Sequence, residues 1–360
     1  MRRLLVIVNL HRDDWSPDRR GLRALRSVRT PSVHKGARSS AYTAGLIQAD
    51  EMWDAAASVT SLASPILRYY ALVQASLSVS AASPLGNHQW QPAPTHGLTL
   101  EIKDAPLTSL AQVQVKESAG RGVAQTLSRA LGSPLLTRPV SLVELIGAIP
   151  GQSLLSNRED WPPRALECDG MWISRDHNSE LTISPLPPSL SLFRVDDAGL
   201  RHAVTPSREQ VRALLERYPS LSGLPDPDGC YANPNLDGGD GHSLHLSWHS
   251  GLMPEWKEWA RYFGIWTLPQ GLGASQRAVA LPRVAGNDTV QHPLVTWFVV
   301  LFAFSMLARY HADAWRRLLD VDRSRDALLL EEVVDSDSRV ALQLVELAIE
   351  QFARRADCAE

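Results

Sequence analysis

Two arginines and one histidine have side chains that could bind an anion and transfer a proton. Arg68 and Arg309 each stand next to a tyrosine on an apolar stretch, and a guanidinium pairs well with phosphate or carboxylate. His96 is followed by Gly97, and an imidazole is suited to general acid or base chemistry when a partner orients it. Gathered around one cleft, Arg68, His96 and Arg309 would suit an enzyme that acts on RNA or nucleotides.

A structural role is the favoured interpretation of each of these side chains. Arg309 ends an apolar helix, where a cation offsets the helix dipole and bonds loose carbonyls. Arg68 begins a helix, where a cation is unfavourable to the dipole, so we expect it to have an acidic partner or a bound anion. His96 is expected to be a hydrogen-bonded structural histidine. We therefore assign no catalytic residue and keep the two arginines as candidates for anion binding. The acidic side chains that suit Arg68 are Glu51, Asp54 and Glu144.

Imidazoles and carboxylates also lie close together between Asp237 and His249, where they could bind zinc or another divalent ion. Residues 243–248 alternate apolar and polar like a half-buried strand. On such a strand His245 and His249 share a face about 13 Å apart, too far to share one ion. His242 would lie on the opposite face. We therefore predict neither a metal nor a cofactor, and His242, His245 and His249 stay as candidates only.

Apolar residues recur at helical spacing on both sides of Arg68. Residues 39–58 are predicted to form a helix that Ser39 or Ser40 caps. Pro65 then opens a second helix, whose small residues would let a neighbouring helix approach closely. The apolar stripe of this second helix consists of Leu67, Tyr70, Val73, Leu77 and Ala81.

The C-terminal third is also predicted to be helical. Its longest uncharged stretch, Pro293–Ala308, holds 16 residues. That is fewer than the roughly 20 residues that a membrane span requires, so the stretch is predicted to be a buried helix that continues to Tyr310. Three further helices are predicted over residues 312–319, 325–334 and 337–355.

The middle third has short apolar runs between prolines. The predicted strands are Met171–Ile173, Leu181–Ile183, Leu190–Val195 and Ser243–Trp248. Ser207–Tyr218 is predicted to be a helix. Residues 219–241 hold a dense run of Pro, Gly, Asp and Asn, which predicts a long loop.

These patterns together predict a mainly α protein. The N- and C-terminal thirds would form a helical bundle, with a mixed α/β insertion between them. Within the bundle part, His96–Ile102 alternates like a strand, and Ser141–Ile146 is predicted to be a short helix capped by Ser141. The predicted boundaries are a basic N-terminal arm at 1–38, a bundle core at 39–160 and 285–356, and an insertion at 161–284.

Composition narrows the classes of function. The net charge of −3 over 360 residues lacks the basic excess of a general nucleic-acid binder. The segment Arg19–Arg38 is nevertheless basic, and it is either a solvated arm, which we favour, or an arm that contacts RNA or another anion. Cys168, Cys230 and Cys358 are too widely spaced for a disulfide framework, which favours a reducing cytoplasm. The mostly apolar run Leu4–Leu10 is only seven residues long, too short for a signal peptide, so neither secretion nor membrane insertion is expected.

Four segments of the chain resemble the YaaC-like family of bacterial proteins. They are the helix with Pro65, Leu67, Tyr69, Tyr70 and Gln74, the tripeptide His96-Gly97-Leu98, the segment with Leu142, Glu144, Leu145, Ile149 and Pro150, and the block with Pro293, Ser305–Tyr310 and Trp315. Together they span nearly the whole chain beyond the basic arm. The resemblance implies a bacterial protein and brings no catalytic residues to carry over, because the family has no settled ones.

The helix with Arg68, Tyr69 and Tyr70 also resembles the tyrosine-containing helix of HEPN-type bundles, many of which are RNases of bacterial conflict systems. The resemblance implies an arginine that binds phosphate and a histidine four to six residues later that moves a proton. That spacing occurs here only from Arg29 to His34, and Pro31 breaks any helix between them.

The favoured hypothesis is therefore a cytoplasmic, non-enzymatic interaction or regulatory protein, whose partner is another protein or a second copy of the chain. The alternative is a HEPN-like RNase or nucleotide-acting enzyme of a bacterial defence or stress system. Convergence of Arg68, His96 and Arg309 would favour the enzyme. Their dispersal into separate ion pairs would favour the interaction protein.

Overall fold

A computed structural model describes more of the N- and C-terminal parts of the chain than of its middle. The described residues are 21–28, 30–33, 36–85, 90–104, 106–149, 165–169, 179–184, 193–195, 201–203, 206–219, 221–222, 224, 226–234, 242–248, 278–335 and 338–357. The chain divides into two compact units. Within the described ranges, we call residues 21–146, 284–287 and 291–357 the helical unit, and residues 147–283 and 288–290 the sheet unit.

Helices account for most of the regular structure in the described residues, which confirms a mainly α protein. The helices are α1 (Gly21–Ala24), α2 (Ala37–Ala56), α3 (Ser64–Ala82), α4 (Val123–Leu131), α5 (Leu142–Gly147), α6 (Arg208–Leu215), α7 (Pro293–Tyr310), α8 (Ala312–Leu318), α9 (Ala327–Asp335) and α10 (Ser338–Asp357). All of them except α6 belong to the helical unit, although α5 ends at its boundary. The predicted helices of the C-terminal third are confirmed to within three residues at each end.

A small antiparallel sheet completes the helical unit. Its strands are β1 (Leu98–Ile102), β2 (Val113–Glu117) and β3 (Val140–Ser141), in the order β1-β2-β3. The predicted strand entry after His96 is therefore confirmed, as is the short helix that Ser141 caps by accepting a hydrogen bond from the Glu144 amide at 3.4 Å. β2 and α4 are not among the predicted elements.

α2 and α3 pack closely where Gly45 meets Ser78. A Cβ atom on Gly45 would lie 2.4 Å from Ser78 Oγ and 2.7 Å from the carbonyl oxygen of Gln74. Ser78 also donates a hydrogen bond to the Tyr42 carbonyl at 2.9 Å. The small residues of α3 therefore do let a neighbouring helix approach closely, as predicted.

The predicted cap of α2 is wrong. The helix begins at Ala37 and its N-cap residue is Gly36, whose φ of +78° favours glycine. Ser39 already lies inside the first turn. Serine is a common cap, but here the helix starts directly after a glycine with a positive φ.

α7 is buried along nearly its whole length, from Pro293 to Ser305 and again at Leu307. Among the described residues it is the one helix long and apolar enough to cross a membrane. However, 78% of that stretch is buried inside the protein, which is the property of a core helix. The helix therefore needs neighbours on several sides, and α3, α4, α8, α10 and β1 all contact it.

The predicted apolar stripe of α3 is not the side that is most buried. Leu67, Tyr70 and Leu77 are only partly buried, whereas Tyr69, Leu72 and most of the small residues are buried. Because α2, α4, α7 and α10 all pack against α3, most of its circumference is covered and periodicity no longer marks the inner face. As a result Tyr69 faces the interior and Tyr70 lies near the surface.

The described part of the basic segment Arg19–Arg38 packs on α2 and α3. Leu22, Leu25 and Val33 are buried. The Tyr42 hydroxyl donates a hydrogen bond to the Leu25 carbonyl at 2.6 Å, and the Thr30 hydroxyl donates one to the Ala82 carbonyl at 2.9 Å. Residues 21–33 therefore have apolar anchors in addition to their positive charges.

The sheet unit contains a five-stranded antiparallel sheet with α6 packed on it. Its strands are β4 (Leu166–Asp169), β5 (Ser179–Ser184), β8 (Gly229–Pro234), β9 (His242–Trp248) and β10 (Ala278–Ala280), in the order β10-β4-β5-β9-β8. β6 (Phe193–Val195) pairs separately with β7 (Arg201–Ala203). Leu244, Leu246 and Trp248 are buried with Val211 and Leu214 of α6, which confirms the predicted orientation of the β9 strand.

The long loop predicted over residues 219–241 is wrong in part, because β8 lies within it. β8 pairs with β9 in a register that sets Tyr231 opposite His245. Glycine, asparagine and proline disfavour strands, yet an edge strand such as β8 tolerates them. The predicted strand Met171–Ile173 lies outside the described residues, and so do residues 190–192 of the strand that ends at Val195.

The close contact of α2 with α3 gives a stability prediction. Gly45→Leu should lower the free energy of unfolding by about 3 kcal/mol, because the side chain would press on the backbone of α3. Ala44→Leu, at the exposed neighbouring position, is the matched control and should change it by no more than about 0.5 kcal/mol. Urea unfolding measures both. Equal effects of the two substitutions would contradict the close packing at Gly45.

The start of α7 gives a pH prediction. His292 Nδ1 accepts a hydrogen bond from the Leu294 amide at 3.1 Å, and burial lowers the pKa of His292 to about 3. Between that value and about 6.5, the unfolded chain binds a proton that the folded chain excludes, so stability falls as pH falls.

His292→Asn keeps a capping acceptor and removes this proton. Its free energy of unfolding should therefore depend less steeply on pH between 6 and 4, by up to about 1.4 kcal/mol per pH unit. Urea unfolding at several pH values tests this, with His311→Asn at an exposed histidine as the control. Parallel curves for His292→Asn and the parent would contradict the prediction.

Candidate functional site

A cluster of aromatic and charged side chains forms where α3, β1 and α7 meet. The Tyr69 hydroxyl and His96 Nδ1 are 2.7 Å apart. The Tyr69 ring packs edge-on against the Phe298 and Phe302 rings of α7, with centroids 5.5 and 5.7 Å away. The His96 ring lies 5.7 Å from Phe302. The inner side of the cluster is therefore an apolar aromatic environment with one hydrogen-bonded polar pair.

Glycines on two segments hold the backbone that carries His96. Gly97 has a φ of +80°, a conformation that favours glycine. A Cβ atom on Gly122 would lie 2.3 Å from the Gly97 amide nitrogen, so the two backbones touch. The Ala124 amide at the start of α4 donates a hydrogen bond to the His96 carbonyl at 3.1 Å. Gln125 donates to the Gly97 carbonyl at 2.9 Å. The position of the imidazole is thus set by α4 as well as by β1.

Arg309 lies at the outer side of the cluster, at the end of α7. It donates one hydrogen bond to the Tyr70 hydroxyl and one to the Tyr310 hydroxyl, each at 2.8 Å. Its guanidinium carbon also lies 5.7 Å from the Tyr70 ring centroid and 4.8 Å from that of Tyr310, within cation–π range. In the described part of the chain no carboxylate forms an ion pair with Arg309. Two tyrosines therefore orient an exposed cation that has no acidic partner among the described residues.

The charge states of the inner pair follow from their surroundings. Burial lowers the pKa of His96, and the positive charge of Arg309 lowers it further. Burial also raises the pKa of Tyr69 well above its ordinary value. At neutral pH a neutral imidazole therefore faces a protonated phenol.

These charge states also assign the tautomer of His96. The buried Tyr69 hydroxyl has one proton, and its only hydrogen-bond partner among the described residues is His96 Nδ1. Tyr69 must therefore donate to Nδ1, because the opposite direction would leave its proton without an acceptor. The imidazole hydrogen then sits on Nε2, so that nitrogen of His96 is an N–H donor. We refer to Tyr69, Tyr70, His96, Arg309 and Tyr310 as the Arg309 cluster.

Two of the three residues singled out in the sequence belong to this cluster. His96 and Arg309 are brought together, and the two hydrogen bonds of Arg309 go to tyrosines and not to helix carbonyls. Arg68 directly precedes Tyr69 in α3 and is buried, with 8% of its surface exposed. It makes none of the hydrogen bonds of the cluster. Glu144, considered as a partner of Arg68, instead pairs with Arg138 at 2.9 Å.

The histidines considered for metal binding are only partly described. His245 Nδ1 is 2.9 Å from the Thr182 hydroxyl, and its Nε2 is 3.3 Å from the Ser243 hydroxyl. Both ring nitrogens therefore have partners within the sheet. His249 and the side chain of His242 lie outside the described residues. No group of three or more His, Cys, Asp or Glu that could hold a metal ion occurs in the residues whose positions are known.

The model of one protein family, described as YaaC-like Protein, matches residues 22–349. The chain belongs to the YaaC-like family. No curated protein and no solved structure matches it. The matched range contains every residue of the Arg309 cluster, so the cluster is a feature of the YaaC-like part of the chain.

The tyrosines of this YaaC-like chain are the site residues that sequence analysis missed. Tyr69 and Tyr70 are adjacent, so on a helix their side chains differ in direction by about 100°. One can then bond an interior histidine while the other bonds a surface arginine. The pairs Tyr69-Tyr70 and Arg309-Tyr310 were visible in the sequence, but only the fold shows that they meet.

The link between Arg309 and His96 gives a prediction for this YaaC-like protein. Removing the positive charge with Arg309→Gln should raise the pKa of His96, because that charge disfavours the imidazolium. NMR titration of the histidine ring signals measures the change. Arg316→Gln, at an exposed arginine that pairs with Asp313 at 3.6 Å, is the control and should leave the pKa of His96 unchanged. An identical His96 titration in Arg309→Gln and the parent would contradict the assigned geometry.

Proposed function

We propose that this YaaC-like protein is a non-enzymatic interaction or regulatory protein that binds an anionic ligand at the Arg309 cluster. The observation that carries the proposal is the orientation of the exposed Arg309 by two tyrosine hydroxyls, with no carboxylate paired to it in the described residues. A structural arginine at a helix end usually has carbonyl or carboxylate partners. Arg309 instead bonds two tyrosine hydroxyls, which are neutral and do not cancel its charge.

The remaining hydrogen-bond capacity of the cluster consists mainly of donors. A guanidinium has five N–H groups, and Arg309 uses two of them on the tyrosines, so that three are available. The hydroxyl oxygens of Tyr70 and Tyr310 accept from Arg309, and their own protons have no acceptor among the described residues. His96 adds its Nε2–H. Such a set of donors is suited to an anion and unsuited to a cation or a basic side chain.

We also propose a compartment and partners for this interaction. The wide spacing of the three cysteines supports a reducing cytoplasm as the compartment. The interaction partner is proposed to be a protein or a second copy of the chain. The basic segment Arg19–Arg38 supports RNA as a different partner, through contacts separate from the Arg309 cluster.

Anion binding is tested by thermal unfolding in sodium phosphate and in sodium chloride of equal ionic strength. Phosphate should raise the midpoint temperature in a saturable way, because a ligand that binds only the folded state stabilises it. Arg309→Gln should lose that increase, and Arg316→Gln should retain it. No increase in the parent, or an equal increase in Arg309→Gln, would contradict binding at the Arg309 cluster.

A second candidate function is an RNase or nucleotide-acting enzyme, and the convergence of His96 with Arg309 is the observation in its favour. The neutral imidazole can donate a hydrogen bond through its Nε2–H, and the neighbouring arginine can bind phosphate, so the two could stabilise negative charge on a phosphate group. Incubation of total tRNA and of synthetic single strands, with and without divalent metal, tests this candidate. Cleavage by the parent but not by folded His96→Ala or Arg309→Ala would support it. Intact RNA in all lanes would count against it and favour the interaction protein.

A further inference from the structure

We propose that the ligand of the Arg309 cluster is a nucleoside monophosphate, with its phosphate on the donors around Arg309 and its base stacked on Tyr310. The inference rests on the proposed anion binding and adds the chemical class of the ligand. It starts from a feature that anion binding leaves unexplained, which is the exposed aromatic ring next to the unneutralised arginine.

Tyr310 is unusual in its exposure. It is the only aromatic residue among the large apolar side chains exposed in the described ranges, and 60% of its surface is accessible although Arg309 lies over the ring. The hydroxyl alone would account for the bond to Arg309. The exposed ring adds a flat apolar surface that a planar group can cover. Nucleobases stack on such rings whatever their identity, because every base has a π-face.

The ring and the phosphate donors are close enough for one small ligand. The Arg309 guanidinium carbon lies 4.8 Å from the Tyr310 centroid, and the same guanidinium donates to the Tyr70 hydroxyl at 2.8 Å. The Tyr70 ring in turn lies 6.3 Å from the His96 ring. An anion at Arg309 would therefore be near donors from α3, from the segment before β1 and from α7.

Phosphate fits this arrangement better than carboxylate. The available donors are three N–H groups of Arg309, the protons of two tyrosine hydroxyls and the Nε2–H of His96. A carboxylate has two oxygens in one plane, whereas a phosphate monoester presents three terminal oxygens in different directions. Donors that come from three separate elements match the three oxygens of a phosphate monoester. Because the described cluster has no group placed to read the edge of a base, the proposal includes no preference among bases.

Isothermal titration calorimetry of the full chain with AMP, ribose 5-phosphate and adenosine tests the proposal. AMP should bind about tenfold or more tightly than ribose 5-phosphate, which is the effect expected of one stacked base. Adenosine should bind more weakly than either, because it lacks the charge. Equal affinities of AMP and ribose 5-phosphate would overturn the nucleotide proposal and leave anion binding intact. Absence of binding by both phosphates would overturn the two proposals together.

Two substitutions of Tyr310 locate the base. Tyr310→Phe keeps the ring and removes the hydrogen bond to Arg309, so both phosphates should bind more weakly while their affinity ratio stays at tenfold or more. Tyr310→Leu removes the ring, and the ratio should fall to about one. Because Tyr310 is exposed, both variants should fold, and circular dichroism checks this. A ratio that stays high in Tyr310→Leu would overturn stacking on Tyr310.

Discussion

Burial of α7 is the constraint on which the helical unit depends. A helix that is apolar on nearly every side must be enclosed, and its neighbours α3, α4, α8, α10 and β1 come from both ends of the chain. Folding of this unit therefore requires contacts between residues far apart in sequence. The aromatic contacts of Tyr69 with Phe298 and Phe302 are part of this enclosure, so the core and the Arg309 cluster share side chains.

Because Tyr69 belongs both to the core and to the Arg309 cluster, the polar pair of Tyr69 and His96 lies against an apolar core. A tyrosine buried beside two phenylalanines must find a partner for its hydroxyl, since an unpaired buried hydroxyl is costly. His96 provides the partner, and the backbone contact of Gly97 with Gly122 allows it to come close enough. The same burial keeps the imidazole neutral. The chemical properties of His96 are thus consequences of how α7 is covered.

Elements with strong local signals could be predicted from the sequence, and those without them could not. The long uncharged stretch Pro293–Ala308 predicted α7, and the small residues of α3 predicted that a neighbouring helix approaches it closely. β8 was missed because glycine, asparagine and proline at an edge strand look like a loop. The buried side of α3 was misjudged because neighbours cover most of it.

Within the site, residue types identified His96 and Arg309, but nothing local indicated that Tyr69 and Tyr70 would join them. Those contacts depend on the packing of α3 against α7, which single-sequence patterns do not contain. The bond from Arg309 to Tyr70 links two helices that are widely separated in the chain.

The adjacency of Tyr69 and Tyr70 in one helical turn has a mechanical consequence. Neighbouring residues of a helix are rigidly connected, so a rotation or shift that moves one side chain also moves the other. Any partner that draws Tyr70 outward would strain the contact of Tyr69 with the phenylalanines of α7, and one that holds it in place would tighten that contact. Because one peptide bond joins the two residues, a displacement of Tyr70 at the surface would also displace Tyr69 in the interior of the helical unit.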